Sequence, residues 1–211
     1  EVVTGFRVCR GGAQEHFDVK PDLTSLAKIL AGGLPGGAIC GRADILELLD
    51  FDAAVEKGFE KIGHQGTYNA NPLSAAAGIT ALEIIQQGDA CVQASEQAGK
   101  LRSACNAVFA SEDVNWACYG QFSGFYFFMN PEERDIDPMS FAPTAVGHAA
   151  LAQKSPLAEK LRLALLVHGV DIAGKPGGSV SAAHSDADIK ETAIALRAAI
   201  GLLRDDGALS S

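Results

Sequence analysis

No apolar run in this sequence approaches the roughly 18 residues that a bilayer-spanning helix needs, so a membrane partner is not expected. Pairing grammar is missing among the cysteines. Cys9, Cys40, Cys91, Cys105 and Cys118 are scattered and odd in number, and none stands in a C-x-x-C pair or at zinc spacing from a histidine. That pattern suits reduced thiols in a cytoplasmic protein better than a disulfide framework, and it offers no metal site. Positive charge is scarce: the net charge of -9 disfavours nucleic acid and anionic membrane surfaces as partners. No basic start leads into an apolar stretch, so no signal peptide is read. No initiator Met precedes Glu1-Val2-Val3-Thr4-Gly5-Phe6-Arg7, and the expectation is a chain that starts mid-element, as a truncated frame or fragment does. A G-x-G-x-x-G run after a strand is lacking, which ranks a nucleotide-binding α/β enzyme low. Gly174-Lys175-Pro176-Gly177-Gly178 lacks Walker spacing and reads as a flexible turn.

What is present is an ordinary globular balance. Apolar residues make up 47% of the 211 and charged residues 20%, enough to bury a core in one large domain or two small ones. Val2-Val3 reads as the end of a strand and residues 37–41 as another. Residues 42–49 read as a short helix. Pro72 opens a helix over 72–87 with Leu73, Ala77, Ala81 and Ile84 at helical spacing. A second helix, 90–110, carries Ala94, Ala98, Leu101, Cys105 and Val108 on one face. The period then changes to strands at 114–119 and 123–129, with the aromatic run Phe122 to Phe128 as core. Residues 130–143 read as a long polar loop and 156–168 as a helix with Leu157, Leu161 and Leu165 together. Residues 169–172 and 180–182 are read as paired strands. Ser185 and Asp188 form a capping-box signal for a last helix that buries Ile189, Ala193, Leu196, Ile200 and Leu203, with a fraying tail from Asp205. The order is β/α, then long helices, then mixed α+β, with a domain change near residue 100.

Two segments carry chemistry. Lys28 stands in the apolar stretch Leu26-Ala27-Lys28-Ile29-Leu30, just before a glycine cluster. A lysine made less basic by such surroundings serves as an amine nucleophile and forms Schiff bases. Taken alone, it reads more readily as a solvated lysine at a helix end. Gly66-Thr67-Tyr68-Asn69-Ala70-Asn71-Pro72 sets a hydroxyl and free N–H groups ahead of a helix start, which is a phosphate cradle in one reading and an ordinary capped turn in the other.

Together these segments resemble class III aminotransferases, and within them the glutamate-1-semialdehyde 2,1-aminomutases and their close relatives. The resemblance lies in Glu1 to Arg7, Pro21-Asp22-Leu23-Thr24-Ser25-Leu26-Ala27-Lys28, Gly32-Gly33-Leu34-Pro35-Gly36-Gly37-Ala38, Gly66 to Leu73, and Val180 to Ile189, in one order along the chain. It implies an α/β fold-type I transferase dependent on pyridoxal 5'-phosphate (PLP). Residues 1–100 would be the end of the large cofactor-binding domain with its connecting helix, and 101–211 the small α+β domain. Lys28 matches the lysine that holds PLP as a Schiff base and later shuttles a proton. Thr67, with Gly66 beside it, matches the threonine that binds the cofactor phosphate of a neighbouring subunit, which implies a homodimer. The implied substrate is a small amino acid or amino aldehyde, and the segment after Thr67 also resembles relatives that act on β- or ω-amino acids.

In the family, an aspartate that pairs with the ring nitrogen stands directly before the Glu-Val-x-x-Gly-Phe-Arg stretch. The sequence begins just after that position, so the expectation is weak cofactor binding and little activity from this stretch alone, or a non-catalytic dimerising product. His184 reads as a turn residue and His64 as a loop histidine or a substrate contact. Arg7 reads as a structural ion pair more readily than as a carboxylate clamp.

Overall fold

The computed structural model describes residues 1–152 and 155–209. The chain divides into two compact units, Glu1–Cys91 and Val92–Ser211.

The first unit opens on turns rather than the expected strand at Val2-Val3. The N–H of Gly5 bonds back to the Glu1 carbonyl at 2.9 Å, and those of Arg7 and Val8 bond to Thr4. Local turns thus consume the backbone groups that a strand would offer to a neighbour. The Glu1 carboxylate then accepts the N–H groups of Gln14 (2.7 Å) and Ala13 (3.2 Å) at the start of helix α1 (Gly12–His16). Burial pushes the Glu1 carboxyl up, but bonds from the Thr4 hydroxyl and these N–H groups outweigh it and hold the group below its ordinary value.

Strand β1 (Leu23–Ala27) pairs antiparallel with β2 (Gly37–Gly41), from Leu23 opposite Gly41 to Ala27 opposite Gly37. β2 was legible in the sequence. β1 was not, because Leu26-Ala27 breaks the alternation and only Thr24 is buried. Residues 28–36 connect the two strands. Next come α2 (Ala43–Leu46) with a 3-10 turn at Glu47–Leu49, and α3 (Phe51–Lys57), capped by the Asp50 carboxylate. Helix α4 (Pro72–Gln87) starts where expected. Asn71 caps it by accepting the N–H of Leu73 at 2.9 Å, and Pro72 sits where no N–H is needed. Its buried side is not the expected line: Leu73 is 68% exposed and Ile84 60%, while Gly78 is buried. A helix apolar nearly all round gives periodicity no face to choose.

The second unit packs α5 (Ala90–Ser111, here from Val92), α7 (Leu157–Val167) and α8 (Asp186–Asp205) on one side of a sheet. The sheet is antiparallel, in the order β3 (Ala117–Tyr119), β4 (Gly124–Phe128), β5 (Gly177–Ser179). Its core joins Ala98, Leu101, Cys105, Val108 and Phe109 of α5 to Leu161 and Leu165 of α7 and Leu196, Ile200 and Leu203 of α8. Phe109 meets Trp116 and Phe127 edge-on at 5.8 and 5.5 Å. Alternation splits the aromatic run. Phe125 and Phe127 enter this core, while Tyr126 lies on the other face against Tyr119, its ring 5.7 Å away and its residue 43% exposed.

The paired strands expected at 169–172 and 180–182 do not form; β5 lies just before the second of these and pairs with β4 instead. It begins at Gly177, whose φ of +153° leaves no room for a side chain: a Cβ there would lie 2.4 Å from the Phe125 carbonyl oxygen. The expected flexible turn at 174–178 is therefore partly strand. The polar stretch up to residue 142 holds only turns and loop, as expected, and helix α6 (Pro143–Ala152), kinked at Gly147, follows it in a segment for which no element was read. The tail does not fray through Leu209: Ala208 and Leu209 pack on the core, and both N–H groups bond to the Leu203 carbonyl. Ser210 and Ser211 lie outside the described residues.

Candidate cofactor site

Lys28 is the first residue of a 3-10 turn (Lys28–Ala31) that leaves the end of β1, not a helix end. Its φ is +56°, a left-handed conformation that costs a residue with a Cβ about 1 kcal/mol or more. Gly32 closes the turn at φ +60°, its N–H bonded to Ile29 at 3.0 Å. The turn lies on α4. A Cβ on Gly32 would stand 2.5 Å from the Ala77 carbonyl oxygen, and one on Gly78 would stand 2.7 Å from that of Leu30. The Ser74 hydroxyl donates to the Pro35 carbonyl at 2.7 Å. The Lys28 side chain is exposed, and its ammonium has no hydrogen bond or ion pair among the described residues.

Gly66 and Thr67 lie in an exposed turn just before α4, closed by the Asn69 N–H on the Gly66 carbonyl at 3.0 Å and by Ala70 at φ +54°. The Thr67 hydroxyl also has no partner among the described residues. The helix start behind it is not as free as expected, because the Asn71 side chain already takes the N–H groups of Leu73 and Ser74. Any anion here is left the Thr67 hydroxyl and the turn rather than the first N–H groups of α4.

A cavity of about 740 Å³ in this unit is lined by Leu30 and Pro35 from the turn after Lys28, by Tyr68 and Asn69 after Thr67, and by Ser74 and His64. The residues that follow Lys28 and Thr67 share a cavity, although Lys28 and Thr67 themselves are not in its wall. His64 therefore stands at the cavity. Arg7 has no ion-pair partner among the described residues, against the structural pair expected for it. His184 is a turn residue, its Nδ1 accepting the Ser181 N–H at 3.1 Å. The contributions of Ser74 and Gly78 were missed in the sequence. Their only signal was a pair of small residues four apart on α4.

The model of class III aminotransferases matches residues 1–128. The chain belongs to the class III aminotransferase family. It is 34% identical to glutamate-1-semialdehyde 2,1-aminomutase of Methanobrevibacter smithii over 203 residues, 95% of this chain and 44% of the relative. The enzyme of that name from Methanosarcina acetivorans is 30% identical over 194 residues, 91% of this chain and 42% of the relative. A solved transaminase with PLP bound superposes with a TM-score of 0.76 at 26% identity, covering 99% of this chain and 44% of that one. This class III chain therefore spans less than half the length of the relatives it matches, and its fold is the corresponding part of a fold-type I enzyme. The family's cofactor is PLP. The residues present fit it: an unpartnered primary amine suits an aldehyde, and an unpartnered hydroxyl in an exposed turn suits a phosphate.

Proposed function

We propose that the chain is part of an enzyme that moves amino groups with PLP, of the glutamate-1-semialdehyde aminomutase kind, and that Lys28 is its covalent attachment point. One observation carries the reading. Lys28 is a solvent-reachable, unpartnered amine held in a left-handed backbone conformation on the same helix that follows the Thr67 turn. Backbone strain at a reactive side chain persists only where surrounding structure enforces it.

PLP supplies an aldehyde carbon for attachment and a ring that takes up the electrons released at the substrate carbon. The Lys28 amine would hold the aldehyde, and as a free amine its Nζ would hold and move a proton beside the substrate carbon. Thr67 donates its hydroxyl to the phosphate, and Gly66 lets the backbone come close. Following the family, Thr67 serves the cofactor of a second copy, so the working form is a homodimer. Apolar surface beside Thr67 supports this: Tyr68 is 82% exposed, Leu73 68% and Ile79 59%. The same reading treats residues 1–100 as the end of the cofactor domain and 101–211 as the small domain, places the protein in the cytoplasm, and gives it an amino acid or amino aldehyde as substrate. A second reading, an aminotransferase for β- or ω-amino acids, draws on the likeness to a solved β-phenylalanine aminotransferase from Variovorax paradoxus, 25% identical with a TM-score of 0.71.

The test is optical. Added PLP gives a visible band near about 410–430 nm that borohydride removes, as a lysine Schiff base does. Lys28→Ala abolishes it, and Thr67→Ala weakens PLP binding about tenfold, roughly the loss of one charge-assisted hydrogen bond. A full band in Lys28→Ala would refute the assignment. Sedimentation that shows only monomer would refute the dimer.

A further inference from the structure

We infer that Gly78 and Ser74 of α4 are positioning residues for the Lys28 amine, an inference that rests on the cofactor reading above. The turn that carries Lys28 is held at three points on one helix. Gly32 packs against the Ala77 carbonyl, the Leu30 carbonyl packs against Gly78, and the Pro35 carbonyl accepts the Ser74 hydroxyl. The first two contacts are backbone against backbone, so neither side can yield by rotating a side chain. A methyl group at position 78 would sit 2.7 Å from the Leu30 oxygen, and the turn must lift to admit it. Leu30 follows Lys28 by two residues inside a 3-10 turn, where the rise is only about 2 Å per residue, so the lift is passed to the Lys28 backbone. That backbone is already at φ +56°, with no broad energy well to absorb the motion. Ser74 fixes the far end of the same loop. Because α4 also begins just past the Thr67 turn, one rigid helix sets the place of both the amine and the hydroxyl. A reacting group displaced by about 1 Å loses on the order of 100-fold in reactivity.

The test compares Gly78→Ala, Ser74→Ala and Ser74→Thr with the unsubstituted chain. Two readouts are used: the pH midpoint and PLP-concentration dependence of the visible band, and amide hydrogen exchange at Gly32 and Leu34, whose N–H groups bond to Ile29 and Ala31 within the turn. Gly78→Ala is expected to weaken PLP attachment about tenfold or more, to shift the pH midpoint, and to speed exchange at both amides by a similar factor. Ser74→Ala is expected to do the same about threefold, and Ser74→Thr, which keeps the hydroxyl, to restore the original values. Thr80→Ala, which removes only a bond to Ala76 within α4, should change neither readout. If Gly78→Ala does not fold, the Ser74 pair decides. Faster exchange with an unchanged pH midpoint and PLP dependence would make the contact merely structural and overturn the inference alone. No band in the unsubstituted chain even with PLP in large excess, where weak binding still registers, would overturn the cofactor reading and this inference with it.

Discussion

Asn106 shows how much one side chain can hold. Buried on α5, it donates to the Cys118 carbonyl at 3.0 Å and accepts the Cys118 N–H at 2.6 Å, clamping β3 to the helix. Asn106→Ala leaves both backbone groups buried without partners and is expected to cost about 1–3 kcal/mol, read as a lower urea midpoint. An unchanged midpoint would mean that water replaces the clamp. The thiol of Cys118 has a separate partner. A hydrogen bond with Cys105, and then burial, push the Cys118 thiol far above the ordinary cysteine value, so no reactive thiolate forms there. Iodoacetamide near neutral pH should label exposed Cys40 first and reach Cys105 and Cys118 only after denaturation. Peptide mapping checks the order. None of these pairings was legible in the sequence, because Asn106 and Cys118 meet only once the chain has folded back.

At the scale of elements, legibility followed the range of the signal. The α8 start was readable because its parts lie three residues apart: the Ser185 hydroxyl takes the Asp188 N–H while the Asp188 carboxylate takes the Ser185 N–H at 2.6 Å. Hydrogen bonds from Ser185 hold the Asp188 carboxyl below its ordinary value, and those from Lys100 and Gln97 do the same for Asp186. The folded values lie below the unfolded ones. Their contribution is therefore complete above the ordinary aspartate range and is lost as pH falls through the lowered folded values. Asp188→Asn should flatten the fall of the thermal midpoint between about pH 5 and pH 2, where carboxylates of this kind titrate. An unchanged slope would contradict the cap assignment. Ser185→Ala is expected to cost about 1 kcal/mol. By contrast, β1 and the buried side of α4 were opaque. The alternation of β1 breaks at Leu26-Ala27, and what selects the buried side of α4 is a glycine-to-carbonyl fit with a turn some 45 residues away, which no local period encodes.

For the whole molecule, each unit keeps its own logic. The second is held by a core in which Leu196, Ile200, Leu161 and Phe109 are fully buried. Leu196→Ala should cost about 2–5 kcal/mol by urea unfolding, and a loss below about 1 kcal/mol would mean that the cavity collapses or fills. Most of this core was readable from helical spacing. The candidate site was readable only through the resemblance, since Lys28 and the Thr67 turn are unremarkable apart. The structure adds what ties them, the bed that α4 provides for the turn after Lys28. In the proposed function, Lys28 differs chemically from every other lysine of the chain. The most direct measurement of that difference is mass-spectrometric mapping of the chain after incubation with PLP and reduction by borohydride. The expected result is a pyridoxyl group concentrated on Lys28. Label spread evenly over Lys20, Lys57 and Lys61, with no preference for Lys28, would contradict it.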